Sequence, residues 1–155
     1  MPVDHEAKRT WATRTIAASP ATIFAVVSDA SLHPVIDGSG MVRDVRGSGD
    51  HRLALGSKFG MSMRLGLPYR ITNTVVEYEP DRLIAWCHPG KHRWRWEVEP
   101  VGDGASSLVT ETFDWSTAIS PKVIELVGYP ERHLRNIERS LERLDAFVTN
   151  RAAAL

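Results

Sequence analysis

The stretch that most constrains this chain is Ser120 to Arg151. Leu134, Ile137, Leu141, Leu144 and Val148 recur there at alternating spacings of three and four, which places them on one stripe of an α-helix. Between them, Glu131, Arg132, Arg135, Glu138, Arg139, Glu142 and Arg143 make the opposite face polar. In helix, residues 131–148 span ~27 Å. A helix of that length and one-sidedness needs an extended apolar partner surface, and most of the preceding chain reads as strands. The pattern therefore predicts an α+β fold with a long terminal helix lying across a curved antiparallel sheet.

The period-two segments supply that sheet. Residues 6–17 are rich in Thr and in β-branched or aromatic residues and read as a first strand. Ser19-Pro20 then offers an N-cap and a proline at the first helical position, so 20–29 is a short helix. A second short helix over 31–37 ends at Asp37-Gly38-Ser39-Gly40. Strands follow over 41–46, 58–65, 69–78, 82–88, 91–99 and 107–115, separated by turns at 47–50, 66–68, 79–81, 89–90 and 102–104. Ser120-Pro121 opens a short helical piece, and Gly128-Tyr129-Pro130 breaks it before the long helix. About seven strands joined mostly by short turns favour a meander, with the first strand returning to the sheet edge after the helical pair.

Composition narrows the function classes. The 155 residues suit one domain, 1–155, with a substantial core. Nineteen basic and nineteen acidic side chains cancel, which gives no support for a nucleic-acid or anionic-membrane partner. The single cysteine, Cys87, excludes an internal disulfide and a thiolate zinc cluster. With no apolar run of membrane-spanning length and no apolar signal core near Met1, the expected location is cytoplasmic.

The element order resembles the helix-grip families: Bet v 1-like, START-like and polyketide cyclase/dehydrase domains. The residues that carry the resemblance are Ile16 to Asp29, with its Ser19-Pro20 and Phe24, then Val76 to Trp86, and the strand around Trp94-Arg95-Trp96. The resemblance implies an apolar ligand held between sheet and long helix, with His33 and Asp37 bordering the mouth. Some such proteins cyclise or dehydrate polyketides, and many only carry or sense a ligand. The fold alone does not choose among these.

Alternation directs Phe59, Met61, Met63, Trp86, Trp94, Trp96, Phe113 and Trp115 inward, towards the helix. Indole planes to stack on and adaptable thioethers suit an apolar pocket; a close-packed core is the competing reading. Glu111 lies between Val109 and Phe113 in the same alternation. Facing inward among tryptophans, it would have a raised pKa and could serve as general acid or base. If Leu108, Thr110 and Thr112 face inward instead, it is solvated. Asn73 and Tyr69 share a face and could hydrogen-bond a ligand oxygen. His88 and His92 flank Pro89-Gly90 and could meet as a metal pair or proton relay, although hairpin tips are usually solvated and no third ligand is near. Neither metal nor cofactor is expected.

Three functions compete. The first is binding of a lipid, polyketide or aromatic metabolite. The second is a cyclase/dehydrase in which Glu111, His88 or Tyr69 moves protons for an aldol closure and loss of water. The third is a protein-interaction role of the co-chaperone or toxin–antitoxin type, using the outer sheet face or the helix. The absence of a convergent acid–base pair favours binding. An exposed edge strand and helix offer surfaces for a homodimer.

Overall fold

The fold is described from a computed structural model covering residues 2–46 and 51–154; the turn expected at 47–50 lies outside the described residues. One antiparallel sheet of eight strands holds the molecule together. The strands are β1 (Val3–Asp4), β2 (Arg9–Ile16), β3 (Val42–Arg46), β4 (Lys58–Leu65), β5 (Leu67–Glu79), β6 (Leu83–Cys87), β7 (Arg93–Val101) and β8 (Ser106–Asp114). Their spatial order is β1-β2-β8-β7-β6-β5-β4-β3. From β3 onward the chain is a meander, and β2 pairs with β8 so that the N-terminal strands form the other edge. The strand expected over 6–17 is β2, shortened at its start because residues 5–8 turn, with φ +56° at Lys8, and lay a further short strand, Val3 and Asp4, beside Thr10 and Arg9.

Between β2 and β3 come helices α1 (Pro20–Val27) and α2 (His33–Ile36), linked by a 3-10 turn at Ala30–Leu32. Ser19 caps α1 by accepting the Thr22 backbone N–H at 3.3 Å, and Pro20 occupies its first turn. Ile23, Phe24, Val26 and Val27 are buried beneath it. After β8, α3 (Pro121–Leu126) ends at Gly128, whose φ of +69° reorients the chain into α4 (Tyr129–Ala153). This helix has 25 residues, or about 38 Å. Glu131 in its first turn and Arg151 in its last complement the helix dipole.

Helix α4 packs on β2 and β8, with α1 and α2 also against it. Ile137, Leu141, Leu144 and Val148 are buried in one apolar core with Ile16, Ile23, Val27, Val98 and Val109. The stripe begins one turn later than expected, since Leu134 is only half-buried and lies outside that core. The predicted charged face is exposed at all seven positions. Helix α4 lies closest to β2 and β8 and stands farther from the inner faces of β4 to β7.

Candidate functional site

The strand alternation and the pairing register bring the large side chains together. In β6, β7 and β8, Trp86, Trp94 and Phe113 stand directly opposite one another, and in the next row Ile84, Trp96 and Glu111 do the same. Directly paired neighbours share a face of the sheet. Glu111 therefore points where Trp96 points, towards the helix, and is 5% exposed. The alternative facing, with Leu108, Thr110 and Thr112 inward, does not occur.

A cavity of about 330 Å³ opens between these strands and the first half of α4. The sheet contributes Met61, Met63, Tyr69, Ile71, Trp86, Trp94, Trp96 and Glu111. The roof is Tyr129, His133, Asn136 and Ser140, spaced four, three and four along α4, with Arg132 beside them. His33, Ile36, Asp37, Ser39 and Met41 close one side, and the His88–His92 hairpin closes another.

The other predicted ligand residues lie elsewhere. Phe59 is buried edge-on to His33 and Trp86. Phe113 is buried with its ring 4.5 Å from that of His133 and stacked on Trp115, whose indole N–H donates to Glu125 at 2.9 Å. Asn73 is fully buried, with its amide N–H on Met61 Sδ at 3.5 Å and no partner for Oδ1. None of these four is on the cavity wall.

The hairpin tip differs from expectation. His88 and His92 do meet, with ring centroids 4.6 Å apart, and both are half-buried although Pro89 and Lys91 at the tip are exposed. Ile119 donates its N–H to the Gly90 carbonyl, and Thr117 donates its hydroxyl to that of Lys91, which straps the tip down. His133 from α4 approaches from above, over Trp94 and Phe113. Burial lowers all three imidazoles: His88 to about 3, with His92 and His133 adding to the effect, and His92 and His133 to about 4. Among the described residues, no group of three or more His, Cys, Asp or Glu is arranged to hold a metal ion.

Three further groups on the wall are shifted towards their neutral forms. Burial, followed by the nearby Asp37 carboxylate, raises Glu111 well above the ordinary carboxyl range. It takes part in no ion pair among the described residues, and its Oε2 has no hydrogen-bond partner. Tyr69, at 38% exposure, is raised by partial burial and then by Tyr129, so its phenol keeps its proton. His33 is lowered by burial.

The loop between α2 and β3 fixes the wall to the roof. Gly38 donates its N–H to Ser140 Oγ at 2.8 Å, and Arg143 donates to the Asp37 carbonyl. A Cβ on Gly38 would fall 2.4 Å from the Asn136 carbonyl oxygen and 2.5 Å from the Ser140 nitrogen. Only glycine permits this approach. Asp37 orders the same loop by accepting from the Ser39 and Val42 backbone N–H groups.

Apolar periodicity missed the roof because Tyr129, His133, Asn136 and Ser140 are not an apolar set. The signal available was a run of uncharged polar and aromatic residues at helical spacing between charged neighbours.

Comparison with known proteins adds to this geometry. The sequence profile of the family described as "Polyketide cyclase / dehydrase and lipid transport" matches residues 9–148. The uncharacterized protein Rv0088 of Mycobacterium tuberculosis is 40% identical over 144 residues, covering 88% of this chain and 63% of that protein. The chain thus spans less than two thirds of that relative's length. Among solved structures, a protein from Rhodobacter sphaeroides superposes with a TM-score of 0.70 at 17% identity, over 97% of this chain and 96% of that one. The KanY protein gives 0.67 at 20% identity, over 91% and 97%. The Aha1 dimer from Colwellia psychrerythraea gives 0.63 at 14% identity, over 90% and 95%. At these identities the likeness is one of fold.

Proposed function

Because this chain belongs to the polyketide cyclase / dehydrase and lipid transport family, we propose that it binds an apolar small molecule between the sheet and α4. The observation that carries this reading is the cavity of about 330 Å³ walled by Trp86, Trp94, Trp96, Met61 and Met63. Its volume suits a compact ring system, and its walls supply flat indole faces and deformable thioethers.

Binding without chemistry is favoured over catalysis by the protonation states. A general base that removes a proton from carbon near neutral pH works best with a pKa near that pH. His88 is at about 3, too weak a base for the task. Tyr69 is shifted upward and keeps its proton, and burial shifts Glu111 towards its protonated form, which favours it as a donor.

The test begins with native mass spectrometry of protein purified from its own host, which is expected to reveal a co-purifying small molecule. Calorimetry with that molecule should show its affinity abolished by Trp94→Ala and by Trp96→Ala. Unchanged affinity in both variants would remove the cavity from the account.

Cyclase action is the second reading, and the inward Glu111 is the observation that favours it. A protonated carboxyl beside a folded poly-β-carbonyl chain could deliver its proton to the acceptor carbonyl oxygen as the enol tautomer of the nucleophilic carbon attacks, and the enol O–H then returns a proton to the Glu111 carboxylate. This reading requires Glu111→Gln to keep ligand binding and to abolish turnover. If turnover persists in the variant, Glu111 is not the acid.

A further inference from the structure

Helix α3 is built inside out. Val123, Leu126 and Val127 share its outward side at three- and four-residue spacing, with Ile119 one turn before them. All four are exposed, Leu126 at 86% and Ile119 at 74%. Its polar Glu125 instead turns inward and accepts the Trp115 indole N–H at 2.9 Å. A surface helix ordinarily does the reverse.

The place of this face in the fold is a second observation. Among the residues lining the cavity, only Tyr69, Pro89 and Arg132 are exposed, so the opening lies between the β4–β5 hairpin, the 88–92 turn and the start of α4. Ile119 is hydrogen-bonded to Gly90 in that turn, and Val127 lies two residues before Tyr129. Across the opening, the Tyr69 phenol is close enough to that of Tyr129 to be shifted by it, and Leu67, at the tip of its hairpin, is 79% exposed. Six of the nine exposed large apolar side chains among the described residues thus gather around this one opening. Scattered apolar residues need no partner, whereas a contiguous set marks an interaction surface.

Charge selects the partner. Exposed Arg64, Arg70, Lys91, Lys122 and Arg132 stand on the hairpin, the turn, α3 and the start of α4. The acids at this end are Glu125, already engaged by Trp115, and Glu131, held by His5 at 3.2 Å; Glu6 and Lys8 in the adjoining turn cancel. The balance of nineteen against nineteen over the whole chain hides this local excess of positive charge. A second copy docked here about a two-fold axis would bring the same cations together. A folded protein partner would seal the opening. An anionic bilayer meets both the apolar set and the cations, and leaves the opening facing a fluid apolar phase.

We propose that α3 and the tip of the β4–β5 hairpin form a shallow docking surface for an anionic lipid bilayer, with the cavity mouth turned to the lipid. This surface lies outside the cavity and does not depend on which guest the cavity takes.

The test is flotation of the full chain with vesicles of phosphatidylcholine, alone or with about 30% phosphatidylglycerol. Affinity for the anionic vesicles should exceed that for neutral ones about tenfold or more, and should fall as salt rises from about 0.05 to 0.5 M. Leu126→Glu, at a site too exposed to carry the fold, should lower that affinity about tenfold or more. Leu55→Glu, at an exposed leucine beyond the far end of β4, should leave it unchanged. No flotation, equal flotation on neutral vesicles, or flotation that Leu126→Glu leaves intact overturns the proposal. So does a dimer in light scattering that Leu126→Glu dissociates, since a second copy then covers the face.

Discussion

Glu111 holds its proton at a pH where an exposed glutamate has lost it, and this has a thermodynamic consequence. Its folded pKa lies well above the ordinary 4.5, so between those two values the native state binds a proton that the unfolded chain has released. Stability then falls as pH rises through that window. Replacing Glu111 with Gln should raise the melting temperature at pH 7, and the gain should vanish by about pH 4. Thermal melts across that range test it; a constant offset at every pH would show that the group does not titrate as stated. The histidines slope the other way. His88, His92 and His133 have folded values of about 3 to 4 against an ordinary 6.5, so the unfolded chain takes up protons first. The stability they leave intact at pH 7 is lost as pH falls from 6.5 towards 4, at up to about 1 kcal/mol per pH unit for each group. Measured in the Glu111→Gln background, where the opposing slope is absent, His133→Gln should flatten the acid-side decline in melting temperature. An unchanged slope would mean that His133 is already protonated in the folded protein.

The elements explain what could be read from the chain and what could not. β4 was legible to the residue, because Phe59, Met61 and Met63 alternate with Lys58, Gly60 and Ser62 and nothing competes. β8 was ambiguous, because both of its faces carry apolar residues; only pairing with Trp96 on one side and Ala12 on the other fixes Glu111 inward. β5 contains a register shift between Val75 and Glu77, so Tyr78 joins the side of Val75 and packs edge-on to Phe24. Simple alternation cannot anticipate such a bulge. The partial burial of His88 and His92 depends on contacts from residues 117–119 and from α4, which are distant in sequence. The seating of the α2–β3 loop on α4 is equally non-local and makes a separate prediction. Gly38→Ala drives a methyl into backbone atoms of the helix, and it should cost about 1–3 kcal/mol. Chemical denaturation reads this as a lowered midpoint at constant slope. A cost near zero would mean that the loop lifts off the helix without penalty.

At the scale of the whole molecule, α4 does two jobs along its length. Its second half completes the dry core through Leu141, Leu144 and Val148, while Tyr129, His133, Asn136 and Ser140 face the cavity. Leu144→Ala should therefore cost about 2–5 kcal/mol, as large-to-small changes in close-packed cores do. Asn136→Ala should cost far less in the free protein and act mainly on affinity, a contrast that paired denaturation and calorimetry can read. The reverse ranking would show that the cavity roof, and not the leucine stripe, holds the helix in place.

Under the proposed binding role, that separation along α4 leaves a lineage of such proteins free to change its ligand. Positions 129, 133, 136 and 140 can drift towards new guests while the anchoring end of the rod keeps every intermediate folded. A single scaffold can in this way be retuned by a handful of substitutions on one helix, without passing through variants that fail to assemble.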